Sequence, residues 1–149
     1  MRHVFEQEQL VRRTRGEVFA FFADAANLER ITPRTLHFEI RSPQPIAMRA
    51  GAIIDYQLSL FGLRFQWRTL IESFDPEAGF VDVQTKGPYH TWRHSHEFSD
   101  APGGTLVRDR VEYEVPFGLF GELARRLFVA RQIRRIFDFR RVAIETAFA

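Results

Sequence analysis

Six strand-like segments follow one another through the middle of this chain with almost no helical pattern between them. Short turns rich in proline, glycine and aspartate separate these segments, and a seventh stands near the N-terminus. The seven predicted strands cover residues 3–12, 36–42, 52–61, 63–74, 79–86, 91–99 and 105–115. Neighbouring strands that are joined by short turns pair antiparallel, so the segments predict one antiparallel sheet of six or seven strands.

Two short helices and one long helix complete the predicted order of elements. A T-x-x-E capping box at Thr14 begins a short apolar helix over residues 17–23, and a second short helix covers 25–31. A helical pattern then covers roughly residues 119–147. Its predicted core positions are Leu123, Leu127, Ala130, Ile133 and Phe137. One helix cannot fill a strongly curved sheet, so we expect a cavity between the two.

Composition and charge exclude several classes of protein. The 149 residues suffice for one domain with a hydrophobic core, which we place at residues 1–149. The absence of cysteine rules out disulfides, thiolate chemistry and cysteine-based zinc sites. A charged N-terminal segment and the lack of any apolar run near ~20 residues predict a cytoplasmic protein. With a formal net charge of only +2, the arginines of the last helix predict a solvated face and no nucleic-acid partner.

The sixth predicted strand carries an unusual pattern of aromatic and histidine side chains. Alternate side chains of a strand point to opposite faces. The residues that share one face here are Trp92, His94, His96 and Phe98, and charged or hydroxyl residues occupy the other. We predict that the aromatic face is buried. Two buried histidines require hydrogen-bond partners or a ligand, which makes this face the candidate site.

The hairpin with the seventh strand supplies a partner for these histidines. If Phe98 lies opposite Val107, then His96 faces Asp109 at about 5 Å between β-carbons. Asp109 would then hold the imidazole in one tautomer and raise its basicity, as a general base requires. The same pair is also compatible with a satisfied polar contact in the core and with a ligand-contacting role.

A metal site is a further interpretation of the same strand. The pattern His-x-His on one strand face presents two imidazoles, and Asp109 or Asp82 would complete a facial triad. Because the motif is short and its third ligand is undetermined, we predict no metal and no cofactor.

Motifs spread over nearly the whole chain resemble the START/Bet v 1-like (SRPBCC) superfamily. They are the segments 21–33, 51–60, 67–69, 103–105 and 136–140, the residues Asp109, Val111 and Tyr113, and the combination of Gly87, Pro88 and Tyr89 with Trp92, His94 and His96. More narrowly, the chain is similar to small bacterial ligand-binding SRPBCC proteins that also occur fused to sugar-nucleotide-epimerase-like domains. The resemblance implies an α+β helix-grip fold, in which a curved sheet of six to seven strands surrounds a long C-terminal helix and a ligand cavity. It implies no particular reaction, because the superfamily mixes binding proteins, lipid carriers and cyclases.

Whether two polar side chains of the fifth predicted strand reach the cavity depends on which face of that strand is buried. Asp82 and Gln84 alternate with valines, which taken alone favours a solvated pair. Because this D-x-Q pair belongs to the family motif, we predict that at least Gln84 reaches the cavity. Arg68, in contrast, is predicted to lie on the outer face and to pair with a carboxylate.

Aromatic side chains are predicted to form the wall and the mouth of the cavity. Phe65 and Trp67 share one face of the fourth predicted strand. Tyr89 follows the Gly-Pro turn at the rim of the sheet, where it closes the mouth or forms a structural corner. In the register given above, Tyr113 faces Trp92.

These observations predict a protein that binds a hydrophobic or amphipathic small molecule between its sheet and its last helix. The predicted ligand-binding residues are Phe65, Trp67, Gln84, Tyr89, Trp92, His94, His96, Asp109 and Tyr113. The alternative is an enzyme, of the cyclase, dehydratase or isomerase type, with His96 and Asp109 as its general base. A third hypothesis is an accessory module of a sugar-nucleotide or redox enzyme, or a homodimer, which requires an exposed apolar surface at Leu119-Phe120 or Phe148.

Overall fold

The computed structural model describes residues 1–149 and contains one seven-stranded antiparallel sheet. The strands are β1 (His3–Val11), β2 (Glu39–Ile40), β3 (Ile53–Leu60), β4 (Leu63–Asp75), β5 (Gly79–Lys86), β6 (Thr91–Ala101) and β7 (Gly104–Glu114). Their order across the sheet is β1-β7-β6-β5-β4-β3-β2. Together with the C-terminal helix, this sheet confirms the predicted α+β helix-grip fold.

The helices stand where the sequence predicts them. They are α1 (Arg15–Phe22), α2 (Asn27–Arg30), α3 (Gly118–Ala124) and α4 (Ala130–Ala147). A π-helical turn, Arg125–Val129, joins α3 to α4 without a break, so residues 118–147 form one C-terminal helix. The predicted cap of α1 is confirmed, because Thr14 Oγ1 accepts a hydrogen bond of 3.3 Å from the Glu17 N–H.

The second predicted strand is shorter than residues 36–42. Only Glu39–Ile40 pairs with β3, and a 3-10 turn, Arg34–Leu36, occupies the preceding segment. His37 follows that turn with a φ of 48°, in the left-handed region that residues with side chains seldom adopt. A single left-handed residue of this kind interrupts an extended chain and leaves no signal in the periodicity of the sequence.

The largest hydrophobic cluster holds α1 and α4 against the sheet. Its members include Val18, Phe19 and Phe22 of α1, Phe80, Phe98 and Val107 of the sheet, and Ile144 of α4. Burying an aliphatic or aromatic side chain of this size contributes about 1.5–3 kcal/mol. The cluster therefore fixes the position of α4, and with it the helix face that looks onto β5, β6 and β7.

Two of the predicted core positions on the C-terminal helix are wrong. Ile133 and Phe137 are buried, but Leu123 and Leu127 are 57% and 51% exposed. The cause is the π-helical turn, Arg125–Val129, in which the hydrogen-bonding step is one residue longer than in an α-helix. The apolar stripe before this turn consequently points in another direction than the stripe after it.

An exposed apolar surface results at the start of the C-terminal helix. Phe117, Leu119 and Phe120 are 82%, 90% and 85% exposed, and Phe128 contacts Phe61 of the β3–β4 turn at 6.4 Å between ring centroids. The surface includes Leu119 and Phe120, as the accessory-module hypothesis requires. The other predicted position does not contribute, because the Phe148 ring packs on Phe21. No helix of the chain combines the length and apolar character that a membrane span requires.

Candidate functional site

A cavity of about 160 Å³ lies between the sheet and the C-terminal helix. Eighteen of its 24 lining residues are hydrophobic, so its walls favour the apolar part of a ligand. The elements that contribute to the wall include α1, β3, β4, β5, β6 and α4, with Phe22, Ile54, Leu58 and Ile133 among its members. Engineered cavities of about 150 Å³ admit benzene, so this space accommodates at least one ring.

Four polar side chains converge on one part of the cavity wall, which we call the polar corner. They are Asp82 of β5, His94 and His96 of β6, and Arg140 of α4. Asp109 of β7 is buried directly behind them and does not line the cavity. The two imidazole rings are stacked at 3.7 Å between centroids.

Each histidine of the polar corner is bonded to one carboxylate. His94 Nε2 lies 2.8 Å from Asp109 Oδ1, and His96 Nε2 lies 2.5 Å from Asp82 Oδ2. The second nitrogen of His96, Nδ1, is buried without a hydrogen bond, 3.6 Å from Asp109 Oδ1. The polar corner therefore contains two His–Asp pairs rather than the one that the sequence predicts.

The predicted strand register is confirmed, but the predicted His96–Asp109 hydrogen bond is wrong. His96 does lie opposite Asp109 in the β6–β7 pair, and Asp82 lies opposite His94 in the β5–β6 pair. Both hydrogen bonds nevertheless run diagonally, from His96 to Asp82 and from His94 to Asp109. Diagonal neighbours are within reach of long side chains. The His96 ring stacks on Phe80, its direct neighbour in β5, as well as on His94.

Burial and neighbouring charge set the protonation states of the polar corner. Burial, reinforced by His94, lowers the pKa of His96 to about 4 against the opposing effect of Asp82 and Asp109. Burial opposes ionisation of Asp109, but Arg140 and the His94 hydrogen bond outweigh it and hold the pKa of this carboxyl below its usual range. Burial is likewise outweighed at Asp82, whose pKa is lowered chiefly by the hydrogen bond from His96. At neutral pH both carboxylates are thus ionised and His96 is neutral.

Arg140 belongs to the polar corner, and the sequence analysis missed it. Its guanidinium carbon lies 5.4 Å from the Phe22 ring centroid and 5.5 Å from that of Phe137, and Nη2 is 3.8 Å from Asp109 Oδ1. The residue is only 9% exposed, and its Nε and Nη2 atoms form no hydrogen bond. A signal was present, because Arg140 follows Ile133 and Phe137 at helical spacing on the buried stripe of α4.

Five of the nine predicted ligand-binding residues line the cavity. They are Trp67, Tyr89, Trp92, His94 and His96. The remaining four, Phe65, Gln84, Asp109 and Tyr113, do not line it. The lining residues that were not predicted include Tyr56, Leu36 and Ile136, which come from elements that only the tertiary structure brings together.

Gln84 has a structural role in place of the predicted cavity contact. Its Nε2 donates to the Tyr89 carbonyl at 2.8 Å, and its Oε1 accepts from the Tyr89 N–H at 3.1 Å. The amide thereby closes the Gly-Pro turn and holds Tyr89 at the cavity. Asp82, two residues earlier on the same face, is the member of the D-x-Q pair that reaches the cavity. The prediction for Arg68 is confirmed, since it forms two hydrogen bonds to exposed Asp55.

Aromatic rings form another part of the cavity wall. Trp67 contacts Tyr89 and Trp92 at 5.7 Å and 5.4 Å between ring centroids, and Tyr113 supports Tyr89 from behind at 5.9 Å. The indole Nε1 of Trp67 is buried and has no hydrogen-bond partner. The cavity therefore combines flat aromatic walls with a charged polar corner.

Asp82, His94 and His96 also offer ligand atoms that lie within 4.8 Å of one another, as a metal site would need. We nevertheless predict that the protein holds no metal, because Asp82 and His96 are bonded to each other and the Arg140 charge opposes a second cation. Addition of Zn²⁺, Ni²⁺ or EDTA is expected to shift the thermal midpoint by less than about 1 °C. A stoichiometric metal in elemental analysis of the purified protein, lost in His94→Gln, would contradict this prediction.

Comparison with known proteins gives one family match. The sequence model of the family described as polyketide cyclase / dehydrase and lipid transport matches residues 11–139. No curated protein matches the chain in sequence.

Three solved structures illustrate the likeness in fold. Zhui aromatase/cyclase from Streptomyces sp. R1128 is 13% identical, with a TM-score of 0.79 over 99% of this chain and 93% of that one. Major latex-like protein 151 from Panax ginseng is 12% identical, with a TM-score of 0.73 over 100% of this chain and 99% of that one. A nucleoside-diphosphate sugar epimerase from Corynebacterium glutamicum is 21% identical, with a TM-score of 0.65 over 95% of this chain but 28% of the epimerase. At these identities the likeness concerns the fold alone.

Proposed function

This chain belongs to the polyketide cyclase/dehydrase and lipid transport family, and on that premise we propose that it binds a hydrophobic or amphipathic small molecule in the cavity between sheet and C-terminal helix. The observation that carries the proposal is a mostly apolar cavity with a single polar corner. Cavities of this composition bind a ligand by burying its apolar body, while a few placed polar groups fix its orientation.

The two parts of the cavity wall suit the two parts of an amphipathic ligand. Trp67 and Trp92 offer flat apolar surface, and removal of apolar ligand surface from water contributes about 25 cal/mol per Å². His94 and Arg140 offer polar atoms to the other end of the ligand. A ligand of purely hydrocarbon character would leave those atoms unpaired, so a ring system that carries polar groups is the best match.

Native mass spectrometry of freshly purified protein tests the proposal. We expect a retained small molecule, seen as a protein–ligand complex that is heavier than the free chain. On denaturation this complex should disappear, and the released molecule should appear as a species of low mass. If no molecule is retained, the same spectra after incubation with naphthalene derivatives should show one ligand per chain. Failure of both experiments would contradict a binding function.

The second candidate function is an enzyme with a His–Asp general base, for which we propose His94 in place of the predicted His96. Because Asp109 is bonded to His94 Nε2, the other nitrogen of His94, Nδ1, is the ring atom left for a ligand. Both the orientation of an imidazole by a buried carboxylate and its place on a cavity wall are features of general bases. Deuterium exchange into the methyl group of 2-acetylnaphthalene, followed by NMR, tests for such a base. Exchange that depends on the protein and is lost in His94→Gln would favour catalysis over binding alone.

The remaining hypothesis is that the chain binds a protein partner. We propose that such a partner contacts the exposed apolar surface around Phe117, Leu119 and Phe120. Apolar surfaces of this kind mark contacts with other chains more often than isolated exposed residues do. Light scattering during size-exclusion chromatography separates a homodimer from a monomer that needs another enzyme as its partner. Leu119→Ser combined with Phe120→Ser should dissociate a dimer formed through this surface.

A further inference from the structure

The cavity has hydrogen-bonding capacity that the protein itself does not use. Among its lining residues, the buried nitrogen atoms without a partner are Arg140 Nε and Nη2, Trp67 Nε1 and His96 Nδ1. The last of these lies 3.6 Å from Asp109 Oδ1 and so faces a protein carboxylate. Guanidinium and indole nitrogens can donate but cannot accept hydrogen bonds. The free positions at Arg140 and Trp67 therefore require acceptor atoms from a ligand.

Arg140 is the stronger of the two positions because a buried charge without hydrogen bonds is costly. Its 3.8 Å separation from Asp109 Oδ1 is an ion pair but is too long for a hydrogen bond. Phe22 and Phe137 contact its guanidinium and cannot accept conventional hydrogen bonds in place of an oxygen. The other polar side chains of the wall, Thr32 and Thr69, already bond within the protein.

The charges at the polar corner further restrict which kind of acceptor group the ligand can carry. Two carboxylates, Asp82 and Asp109, share the polar corner with one guanidinium, so the corner has no excess positive charge to offer an anion. A carboxylate on the ligand would be the third negative group in a small volume that is shielded from water, where like charges repel strongly. A neutral oxygen accepts the Arg140 hydrogen bonds without that repulsion.

We propose that Arg140 is the residue that selects the ligand, and that it does so by donating hydrogen bonds from Nε and Nη2 to a neutral carbonyl oxygen on an aromatic or alicyclic ring system. A second acceptor oxygen on the same ligand is bound by Trp67 Nε1. This inference rests on the proposed binding function and adds the chemical class of the ligand. A ligand that carries an amine, a carboxylate or only a hydrocarbon substituent in place of the carbonyl binds more weakly than the matching ketone.

Four naphthalene probes of similar size test the inference. They are 2-acetylnaphthalene, 2-ethylnaphthalene, 2-naphthoate and 1-(2-naphthyl)ethylamine, which carry a neutral carbonyl, no polar group, an anion and a cation. The dissociation constant of the ketone is measured by quenching of tryptophan fluorescence, and the others by competition with it. We expect the ketone to bind about tenfold or more tightly than the hydrocarbon, as a hydrogen bond from a charged donor predicts.

Variants of residues on α4 show which side chain produces the preference for the ketone. Arg140→Met keeps an unbranched, flexible side chain and removes the donors, so it should reduce the preference for ketone over hydrocarbon to less than about twofold. Arg134→Met, at an exposed position of α4, is the matched control and should retain the preference. Trp67→Phe should leave the preference for the ketone unchanged, because this probe has one acceptor oxygen and Arg140 binds it. Arg140→Lys keeps the charge and removes the guanidinium geometry, so it shows which of the two produces the preference. Circular dichroism shows which variants are folded. The preference of the wild-type protein for ketone over hydrocarbon is measured without any variant, so it tests the inference even if a variant does not fold.

Several outcomes would overturn the inference while leaving the proposed function intact. These are equal affinity of the wild-type protein for ketone and hydrocarbon, tightest binding of the anion or of the amine, and a preference for ketone that persists in folded Arg140→Met. If none of the four probes binds, the inference fails, and if native mass spectrometry also finds no retained molecule, the proposed function fails with it.

Discussion

Replacement of Asp109 by alanine is expected to lower the free energy of unfolding by about 3–5 kcal/mol, measured by chemical denaturation. Asp109 accepts a hydrogen bond from His94 and is the carboxylate closest to the buried guanidinium of Arg140. Its removal takes away the nearest counter-charge of this buried guanidinium and the partner of His94 Nε2. Breaking a buried ion pair from one side is among the most destabilising of single substitutions.

Asp55 provides the matched control for this substitution. It forms two hydrogen bonds with Arg68, but the two side chains are 40% and 50% exposed. An ion pair at such a position contributes about 0–1 kcal/mol, because water screens it and compensates its loss. Asp55→Ala should therefore cost about 1 kcal/mol or less. A similar cost for Asp109→Ala would show that the polar corner does not support the fold.

Acidification should reduce the stability of the protein between about pH 6.5 and pH 4, by at most about 3 kcal/mol from His96 alone. Burial lowers the pKa of His96 to about 4, so the unfolded chain takes up this proton at a higher pH than the folded chain does. The contribution of His96 is fully present above pH 6.5 and is lost as the pH falls toward 4. Protonation of Asp82 and Asp109, whose pKa values are also lowered, adds a further loss at more acidic pH.

Two glutamine variants assign this pH dependence. His96→Gln should lower stability at neutral pH and flatten its dependence on pH within the window from 6.5 to 4. His90→Gln, at an exposed position, should keep the wild-type dependence. Denaturation curves at half-unit steps of pH provide the measurement. A wild-type protein whose stability is constant across the window would contradict a neutral, buried His96.

The faces and register of the strands could be predicted from the sequence because they follow from a period of two. The alternation of Trp92, His94, His96 and Phe98 predicts their common face, and the short turn before β7 predicts that His96 lies opposite Asp109. The hydrogen bonds could not be predicted in the same way. They depend on how each imidazole ring is oriented and on Asp82, which lies on a third strand. The periodicity of the sequence describes neither of these.

Arg140 and the start of the C-terminal helix show two further limits of sequence patterns. A charged residue on an apolar stripe is normally assigned to the solvent, and only the position of Asp109 on β7 explains why Arg140 is buried. The π-helical turn changes the direction of the apolar stripe through its hydrogen bonding, so Leu123 and Leu127 were assigned to the core in error. Gln84 was assigned to the cavity on the motif alone, whereas its amide satisfies the backbone of Tyr89.

Titration of the intrinsic fluorescence with 2-acetylnaphthalene tests the central claim most directly. The chain has two tryptophans, Trp67 and Trp92, and both line the cavity, so the whole tryptophan signal reports on it. A ligand bound in the cavity beside them should quench the emission along a saturable curve with one site per chain, and should raise the thermal midpoint as its concentration increases. Quenching that grows linearly with concentration, without saturation and without a change in the thermal midpoint, would show that the cavity binds no ligand of this class.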